Sequence, residues 1–244
     1  MNTASASPAD APPTAAGRQR ILVWDAPSRL FHGLIVLSFA GAYLSAESER
    51  WRLLHVTLGY TMAGLVAFRL VWGLLGTRHA RFAAFVRGPR AVVRYLQAAL
   101  RGRAEHHVGH NPAGALAIVA LLLLAAAVSA TGWALYDGPP AARFEDWHEG
   151  AANAMLALVG LHVCGVVFAS RLHRENLAAA MISGRKTGRP QDGIGSARRG
   201  VAALLLAAVL GYWWLQWQTV ASSGGAADRP PAAARPTPAA DADD

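Results

Sequence analysis

Four histidines in otherwise apolar segments are the residues of this chain best suited to metal chemistry: His32, His55, His148 and His162. His148 and His162 share one segment and are fourteen residues apart. At about 3.6 residues per turn and about 1.5 Å per residue, their rings leave nearly the same helix face about 21 Å apart. This distance is too long for one shared metal ion. If both are ligands, they belong to two centres at two depths.

Membrane-spanning helices are the elements that would position these histidines. The chain has 244 residues, 53% of them hydrophobic, and a mean hydropathy of +0.24. A helix needs about 20 apolar residues to cross about 30 Å of hydrocarbon. Five segments reach or approach this length: residues 30–46, 53–76, 113–136, 151–170 and 201–220. We therefore predict an all-α integral membrane protein with five spans, of which the first is the shortest.

The distribution of basic residues predicts the orientation in the membrane. The net charge is +8, and lysine and arginine are concentrated in residues 1–31, 77–110 and 171–199. Basic loops stay on the cytoplasmic side of an inner membrane. We expect a multi-pass protein of the bacterial inner membrane with a cytoplasmic N-terminus and a periplasmic C-terminus. The same distribution argues for a lipid environment and against nucleic acid as the partner.

This orientation sorts the four histidines by depth. His32 and His162 lie at the cytoplasmic level, whereas His55 and His148 lie at the outer level. Ionisable groups inside a membrane are costly and indicate a functional site, although a histidine near a span end can also reach the interface. Haem takes one axial ligand from each side and lies between helices. Zinc or copper would be under-ligated by two histidines.

Arg69 is the only arginine in the interior of a predicted span, and it follows His55 by fourteen residues. It should therefore lie near the cytoplasmic level. There it would either pair with an anionic haem propionate or extend to the membrane surface. Glycines near the histidines would let the helices approach a flat macrocycle, although small residues are also ordinary helix-packing contacts in membranes. These glycines are Gly33, Gly59, Gly160 and Gly165.

Several segments together resemble the bacterial cytochrome b561 group, which includes the b-type cytochrome subunits of nickel–iron hydrogenases. They are "VWDAPSRLFH", "LHVTLGY", "FRLVWGLLG", "GHNPAGA", "WHEGAANAML" and "LHVCGVVFASRLHRENLAAAMISGRK". The resemblance covers residues 21–188. It implies a four-helix transmembrane core that binds two haems b and exchanges electrons with quinone. It also implies iron ligation by His32 and His162 at the inner haem, and by His55 and His148 at the outer haem.

The function predicted from these features is one-electron transfer, because a haem with both axial positions filled has no open site for oxygen chemistry. We expect a dihaem cytochrome b that connects the quinone pool to a periplasmic partner, either a c-type cytochrome or a hydrogenase-like enzyme. The single cysteine, Cys164, excludes a C-x-x-C-H haem attachment and a cysteine-ligated iron–sulfur cluster in this chain. Two alternatives are a superoxide-oxidising quinone reductase and a haem-free scaffold or transporter with a polar path.

The predicted domains are a disordered segment at 1–20, the dihaem domain at 21–188, an additional transmembrane helix at 200–221 and a disordered periplasmic tail at 222–244. Asn111-Pro112 predicts a helix start, and we expect His110, just before it, to be solvated rather than to face quinone. The other histidines are assigned no ligand role: His79, His106, His107 and His173.

Overall fold

The computed structural model describes residues 17–137 and 143–227, with the side chains of residue 143 and of 220–227 left out of the description. The elements in chain order are β1 (Gln19–Leu22), α1 (Ala26–Ser45), α2 (Arg52–Leu75), α3 (Phe82–Phe85), α4 (Pro89–Leu100), α5 (Pro112–Tyr136), α6 (Arg143–His173), α7 (Leu177–Ser183), β2 (Arg185–Gly188) and α8 (Arg199–Ala227). The helical fold class is confirmed. Of the predicted disordered segments, residues 1–16 and 228–244 lie outside the described residues, whereas 19–20 are in β1 and 222–227 are in α8.

Four helical segments of the described residues are long and apolar enough to cross a membrane: Glu49–Leu75, Pro112–Tyr136, Phe144–His173 and Arg199–Thr219. They correspond to the second, third, fourth and fifth predicted spans. The first predicted span forms α1, a helix of 20 residues, but it is not among the four. Its first two turns carry Ser28, Arg29 and His32, which reduce its apolar length.

The N-terminal ends of α1 and α5 are set by side-chain caps. The Asp25 carboxylate accepts a hydrogen bond from the Ser28 amide at 2.8 Å, and the Asn111 side chain accepts one from the Gly114 amide at 2.7 Å. Each helix also has proline in its first turn, where no intrahelical donor is needed. The helix start predicted at Asn111-Pro112 is confirmed.

One apolar cluster joins the helices of the bundle. Phe39 of α1, Met62 and Val66 of α2, Ala125 of α5 and Met155 of α6 are buried together. Within the bundle, α1 packs on α2, α2 on α5 and α5 on α6. Lipid chains are as apolar as these side chains, so the fit between helices determines this arrangement more than the removal of apolar surface from water does. The expected four-helix core is therefore formed by α1, α2, α5 and α6.

A two-stranded antiparallel sheet, absent from the sequence-based expectation, joins the segment before α1 to the segment after α7. β1 pairs with β2 in a register that places Gln19 opposite Gly188 and Leu22 opposite Arg185. The Val23 amide extends this contact by donating to the Gly184 carbonyl at 2.8 Å. Gly184 ends α7 with a φ of 77°, a left-handed conformation that glycine adopts without strain.

Among the described residues, 207–227 belong to a second unit of the chain. Its described part continues α8, whose segment Arg199–Thr219 matches the predicted fifth span. Trp214 and Trp217 contact each other near the end of that segment, with ring centroids 5.8 Å apart. Tryptophan is enriched where a helix meets the membrane–water interface. The two rings therefore lie where the fifth predicted span is expected to reach the membrane–water interface.

Candidate functional site

His55 and His148 face each other near the N-terminal ends of α2 and α6. Their ring centroids are 6.0 Å apart and their planes are inclined at 75°. A metal-bound imidazole nitrogen lies about 2 Å from the metal and about 1 Å from its ring centre, so two rings that share one metal have centres about 6 Å apart. The separation of the two ring centres therefore equals the one expected for two imidazoles that share one metal.

Hydrogen bonds from neighbouring helices orient both rings. His55 Nδ1 lies 2.8 Å from the Ala42 carbonyl of α1, and His148 Nδ1 lies 3.0 Å from the Val128 carbonyl of α5. A carbonyl only accepts hydrogen bonds, so Nδ1 of each ring is the donor, which is the arrangement of the Nδ1–H tautomer. This tautomer leaves the lone pair of Nε2 for a metal. A ring N–H donated to a backbone carbonyl is also the usual support of a metal-binding histidine.

Gly132 of α5 makes room for the His148 ring. A Cβ atom at this position would lie 3.0 Å from His148 Cε1 and 3.3 Å from Nδ1. Thr131 Oγ1 lies 3.2 Å from the same Nδ1. One short segment of α5, from Val128 to Gly132, therefore determines where the His148 ring can lie.

His32 and His162 form the second pair, on α1 and α6. Both side chains are half-buried, and they are close enough to interact electrostatically. No hydrogen bond or ring contact joins these two histidines to each other in the part of the chain that the structure describes. The rings of His32 and His162 are therefore not in direct contact, unlike those of His55 and His148.

An apolar layer separates the two histidine levels. Met155 follows His148 by seven residues and precedes His162 by seven, so it lies on nearly the same face of α6 as both. It is 4% exposed and belongs to the cluster that joins the four helices of the bundle.

Arg69 is buried near the C-terminal end of α2, with 5% of its surface exposed. Its Nη2 donates to the Ala80 carbonyl at 3.0 Å, and its guanidinium carbon lies 4.8 Å from the centre of the Phe82 ring. Nη1 is also buried and has no hydrogen-bond partner among the described residues. Arg69 interacts electrostatically with Asp25, a carboxylate that is 1% exposed. The side chain is therefore buried within the protein, against the segments that precede α1 and follow α2.

The glycines near the four histidines make no close contact with a neighbouring helix. A Cβ at Gly33, Gly59, Gly160 or Gly165 would meet nothing within 4 Å. The close approaches lie instead at Gly41, where a Cβ would be 2.6 Å from Leu58, and at Gly73 and Gly132, which face Phe82 and His148. The glycines next to the histidines leave open space instead of a helix contact, and a flat macrocycle would require such space.

His110 is enclosed by aromatic rings, contrary to the expectation that it is solvated. Its ring centroid lies 4.5 Å from that of Trp24 and 4.4 Å from that of Phe85. An edge of the residue is partly exposed, but Nδ1 is buried without a hydrogen-bond partner among the described residues. Burial, with a further contribution from the positive charge of Arg69, lowers the pKa of His110 to about 3. His110 is therefore neutral at pH 7.

A cavity of about 300 Å³ opens beside His110 at the end of the bundle that the basic loops occupy. Its lining contains four histidines, two arginines and the Phe85 ring: His79, His106, His107, His110, Arg78, Arg87 and Phe85. His110, which lines the cavity, immediately precedes α5 at the end of the bundle where α2 ends. No motif in the sequence indicates this cavity, because its lining comes from three separate segments.

A buried ion pair closes the wall next to this cavity. Lys186 Nζ lies 3.0 Å from Glu175 Oε2 and donates to the His107 carbonyl at 3.2 Å. His106 Nε2 contacts the same carboxylate oxygen at 3.1 Å. Lys186 is the only lysine of the chain. Its being the one lysine among 23 basic residues was the only signal in the sequence that pointed to Lys186.

No group of three or more His, Cys, Asp or Glu side chains among the described residues converges as a metal site. The described residues thus contain no zinc-type cluster of protein ligands. Two histidines per centre instead match a metal that a macrocycle already ligates in its plane.

Comparisons with known proteins agree with the resemblance seen in the sequence. The family model described as prokaryotic cytochrome b561 matches residues 23–184. A curated protein of Bradyrhizobium diazoefficiens, named "Probable Ni/Fe-hydrogenase B-type cytochrome subunit", is 24% identical over 70% of this chain and 88% of its own length. A protein of the same name from Azotobacter vinelandii is 25% identical over 67% of this chain and 87% of its own length. No solved structure matches the chain.

Proposed function

The chain belongs to the prokaryotic cytochrome b561 family, and we propose from this premise that it is a dihaem electron carrier between quinone and a periplasmic redox partner. As a b-type cytochrome with several membrane-spanning helices, it binds haem b in the membrane. The proposal adds the number of haems, their ligands, the quinone and the inner-membrane orientation with a cytoplasmic N-terminus. The geometry of His55 and His148 is the observation that carries it.

In the proposal, His55 and His148 hold the outer haem, and His32 and His162 hold the inner haem. A haem iron with two histidine ligands supplies one-electron transfer with little change in coordination. The ring separation of 6.0 Å and the carbonyl partners of both Nδ1 atoms support the outer assignment. The electrostatic contact between His32 and His162 supports the inner one.

Arg69 is proposed to bind a carboxylate group of the inner haem through Nη1. The other terminal nitrogen, Nη2, is already engaged by the Ala80 carbonyl. A buried guanidinium with an unpaired N–H group loses free energy of solvation that an anion would restore. Asp25 supplies only part of this compensation, because its carboxylate already accepts hydrogen bonds from Ser28, Trp72 and Thr77.

The cavity beside His110 is the proposed quinone site. The cavity is concave, and its lining combines several nitrogen-bearing side chains that can bind quinone oxygens with one aromatic ring. Phe85 offers an aromatic face, and Nδ1 of the neutral His110 is a buried polar atom that a quinone oxygen can engage. His79 is held at the cavity wall by the Asp192 carbonyl at 2.8 Å. A quinone here would lie next to the inner histidine level.

The partner is proposed to be a periplasmic hydrogenase-like enzyme or a c-type cytochrome. The relatives from Bradyrhizobium diazoefficiens and Azotobacter vinelandii carry a hydrogenase subunit name. This chain contains neither the cysteines for a covalent haem nor those for an iron–sulfur cluster, so an electron partner must supply the catalytic centre. Co-purification in mild detergent, followed by identification of the bound redox protein, tests this part.

Haem quantification in single variants tests the ligand assignment. The wild type should contain two noncovalent haems b per chain, and His55→Ala and His148→Ala should each retain one, with the same remaining low-spin spectrum. His106→Ala is the matched control, because this histidine binds Glu175 outside the bundle. If His55→Ala and His148→Ala leave different haems, the two side chains do not share one iron.

Quinol oxidation tests the proposed cavity. His110→Phe preserves an aromatic ring between Trp24 and Phe85 but removes the polar nitrogen atoms. Reduction of the haems by a soluble quinol should become at least tenfold slower, whereas the spectrum after dithionite reduction should not change. An unchanged quinol rate in this variant would place the quinone elsewhere.

A further inference from the structure

Helix α4 has three distinct faces. Val92, Tyr95 and Ala99 form a buried stripe, and Tyr95 is 9% exposed. Val93, Leu96 and Leu100 form an exposed apolar stripe, in which Leu100 is 83% exposed. At about 100° per residue, this second stripe lies about 100° around the helix from the first.

The third face of α4 is cationic. Arg90, Arg94 and Arg101 are exposed together with Gln97, and helical geometry places them about 100° beyond the apolar stripe. Apolar and cationic stripes side by side are typical of a helix that lies in a membrane interface. A helix that faced only water would not expose three large apolar residues in one line.

Among the described residues, the arginines of α4 form no ion pair. Residues 77–104 contain no aspartate or glutamate. Both ion pairs found among the described residues use Glu175, and neither includes an arginine of α4. The positive charge of this face is therefore available to an external anion.

The position of α4 brings this face to the membrane boundary. The helix lies between the C-terminal end of α2 and the N-terminal end of α5, and its buried stripe accompanies packing on α5. Pro89, Arg90, Val93 and Arg94 line an open depression of about 580 Å³ at its start. The depression thus combines apolar side chains with two guanidinium groups.

We propose that α4 is an interfacial helix that binds anionic phospholipids of the cytoplasmic leaflet. Val93, Leu96 and Leu100 lie among the acyl chains, while Arg90, Arg94 and Arg101 bind the lipid phosphates. Anionic lipids are enriched on the cytoplasmic leaflet and attract basic segments beside transmembrane helices. The helix thereby adjoins the histidine-lined cavity at the same end of the bundle.

Site-directed spin labels test the depth of the two exposed faces. In a Cys164→Ser background, labels are placed through Leu96→Cys and Gln97→Cys in the full-length haem-loaded protein. The protein is reconstituted in vesicles of phosphatidylcholine mixed equally with phosphatidylglycerol. The label at position 96 should be relaxed more by oxygen, which enters lipid, and the label at 97 more by a water-soluble nickel chelate.

Lipid selectivity is tested with two triple variants that remove the same charge. One carries Arg90→Gln, Arg94→Gln and Arg101→Gln, and the control carries Arg185→Gln, Arg189→Gln and Arg199→Gln. Each basic residue near an anionic surface changes binding by about fivefold. The α4 variant should lose at least fivefold in the relative affinity for phosphatidylglycerol over phosphatidylcholine, measured with spin-labelled lipids, and the control should lose much less.

Three results would overturn the proposal. A water-exposed label at position 96 would show that the apolar stripe does not reach lipid. Protection of this label from both reagents would mean that a protein surface, such as a second copy of the chain, covers the stripe. An equal loss of selectivity in the two triple variants would assign the effect to total charge. Unchanged haem spectra in all variants confirm that the bundle remains folded.

Discussion

Replacement of Gly132 by alanine should weaken the outer haem site without unfolding the bundle. The new Cβ would lie 3.0 Å from His148 Cε1, whereas ordinary contacts begin at 3.4 Å. The ring must therefore withdraw by about 0.4 Å. A shift of this size is enough to lengthen the 3.0 Å contact between Nδ1 and the Val128 carbonyl beyond the normal range of about 2.7–3.2 Å.

The expected magnitude follows from the role of that hydrogen bond. Loss of a partner that orients a metal-binding histidine costs about 10–100-fold in metal affinity. This range corresponds to about 1.4–2.7 kcal/mol at 1.36 kcal/mol per factor of ten. Alanine is favoured over glycine within a helix by up to about 1 kcal/mol. The haem-free protein should therefore be at least as stable as the wild type.

Haem transfer to an excess of apomyoglobin measures this effect. One of the two haems of Gly132→Ala should dissociate about 10–100 times faster than in the wild type, and a high-spin fraction should appear in its electron paramagnetic resonance spectrum. Gly150→Ala is the matched control, because Gly150 lies two residues after His148 and a Cβ there meets nothing within 4 Å. Equal haem loss from the two variants would refute a positioning role for Gly132.

Three further outcomes are expected. Arg69→Leu should lower the redox potential of the inner haem more than that of the outer haem, because reduction adds an electron where a positive charge is lost; a redox titration decides this. Reporter fusions after residue 190 and at the C-terminus should report opposite sides of the membrane if α8 crosses it. Between pH 7 and pH 5, His110 binds a proton in the unfolded chain, where its pKa is that of an ordinary histidine. In the folded protein its pKa is about 3, and it binds none. The free energy of unfolding should therefore fall by about 2 kcal/mol as the pH decreases from 7 to 5. His110→Phe should remove this contribution to the pH dependence, measured by denaturant unfolding at a series of pH values.

The sequence by itself determined the features that depend on local spacing. A separation of fourteen residues places His148 and His162 on one face of a helix wherever that helix lies, because the helical repeat is a property of the backbone. The apolar lengths of α2, α5, α6 and α8 likewise predicted four of the helices that can span a membrane. The capped start of α5 at Asn111-Pro112 is also local, since the cap bonds an amide only three residues away.

Only the tertiary structure decided what surrounds these residues. The carbonyls that orient His55 and His148 belong to α1 and α5, and no spacing along the chain identifies such partners. The enclosure of His110 by Trp24 and Phe85, contrary to the expected solvation, brings together three segments that are distant in sequence. The physical reason is that a periodic pattern encodes one helix at a time. The contacts between helices in lipid depend on the shapes that meet, and these shapes exist only after the helices have associated.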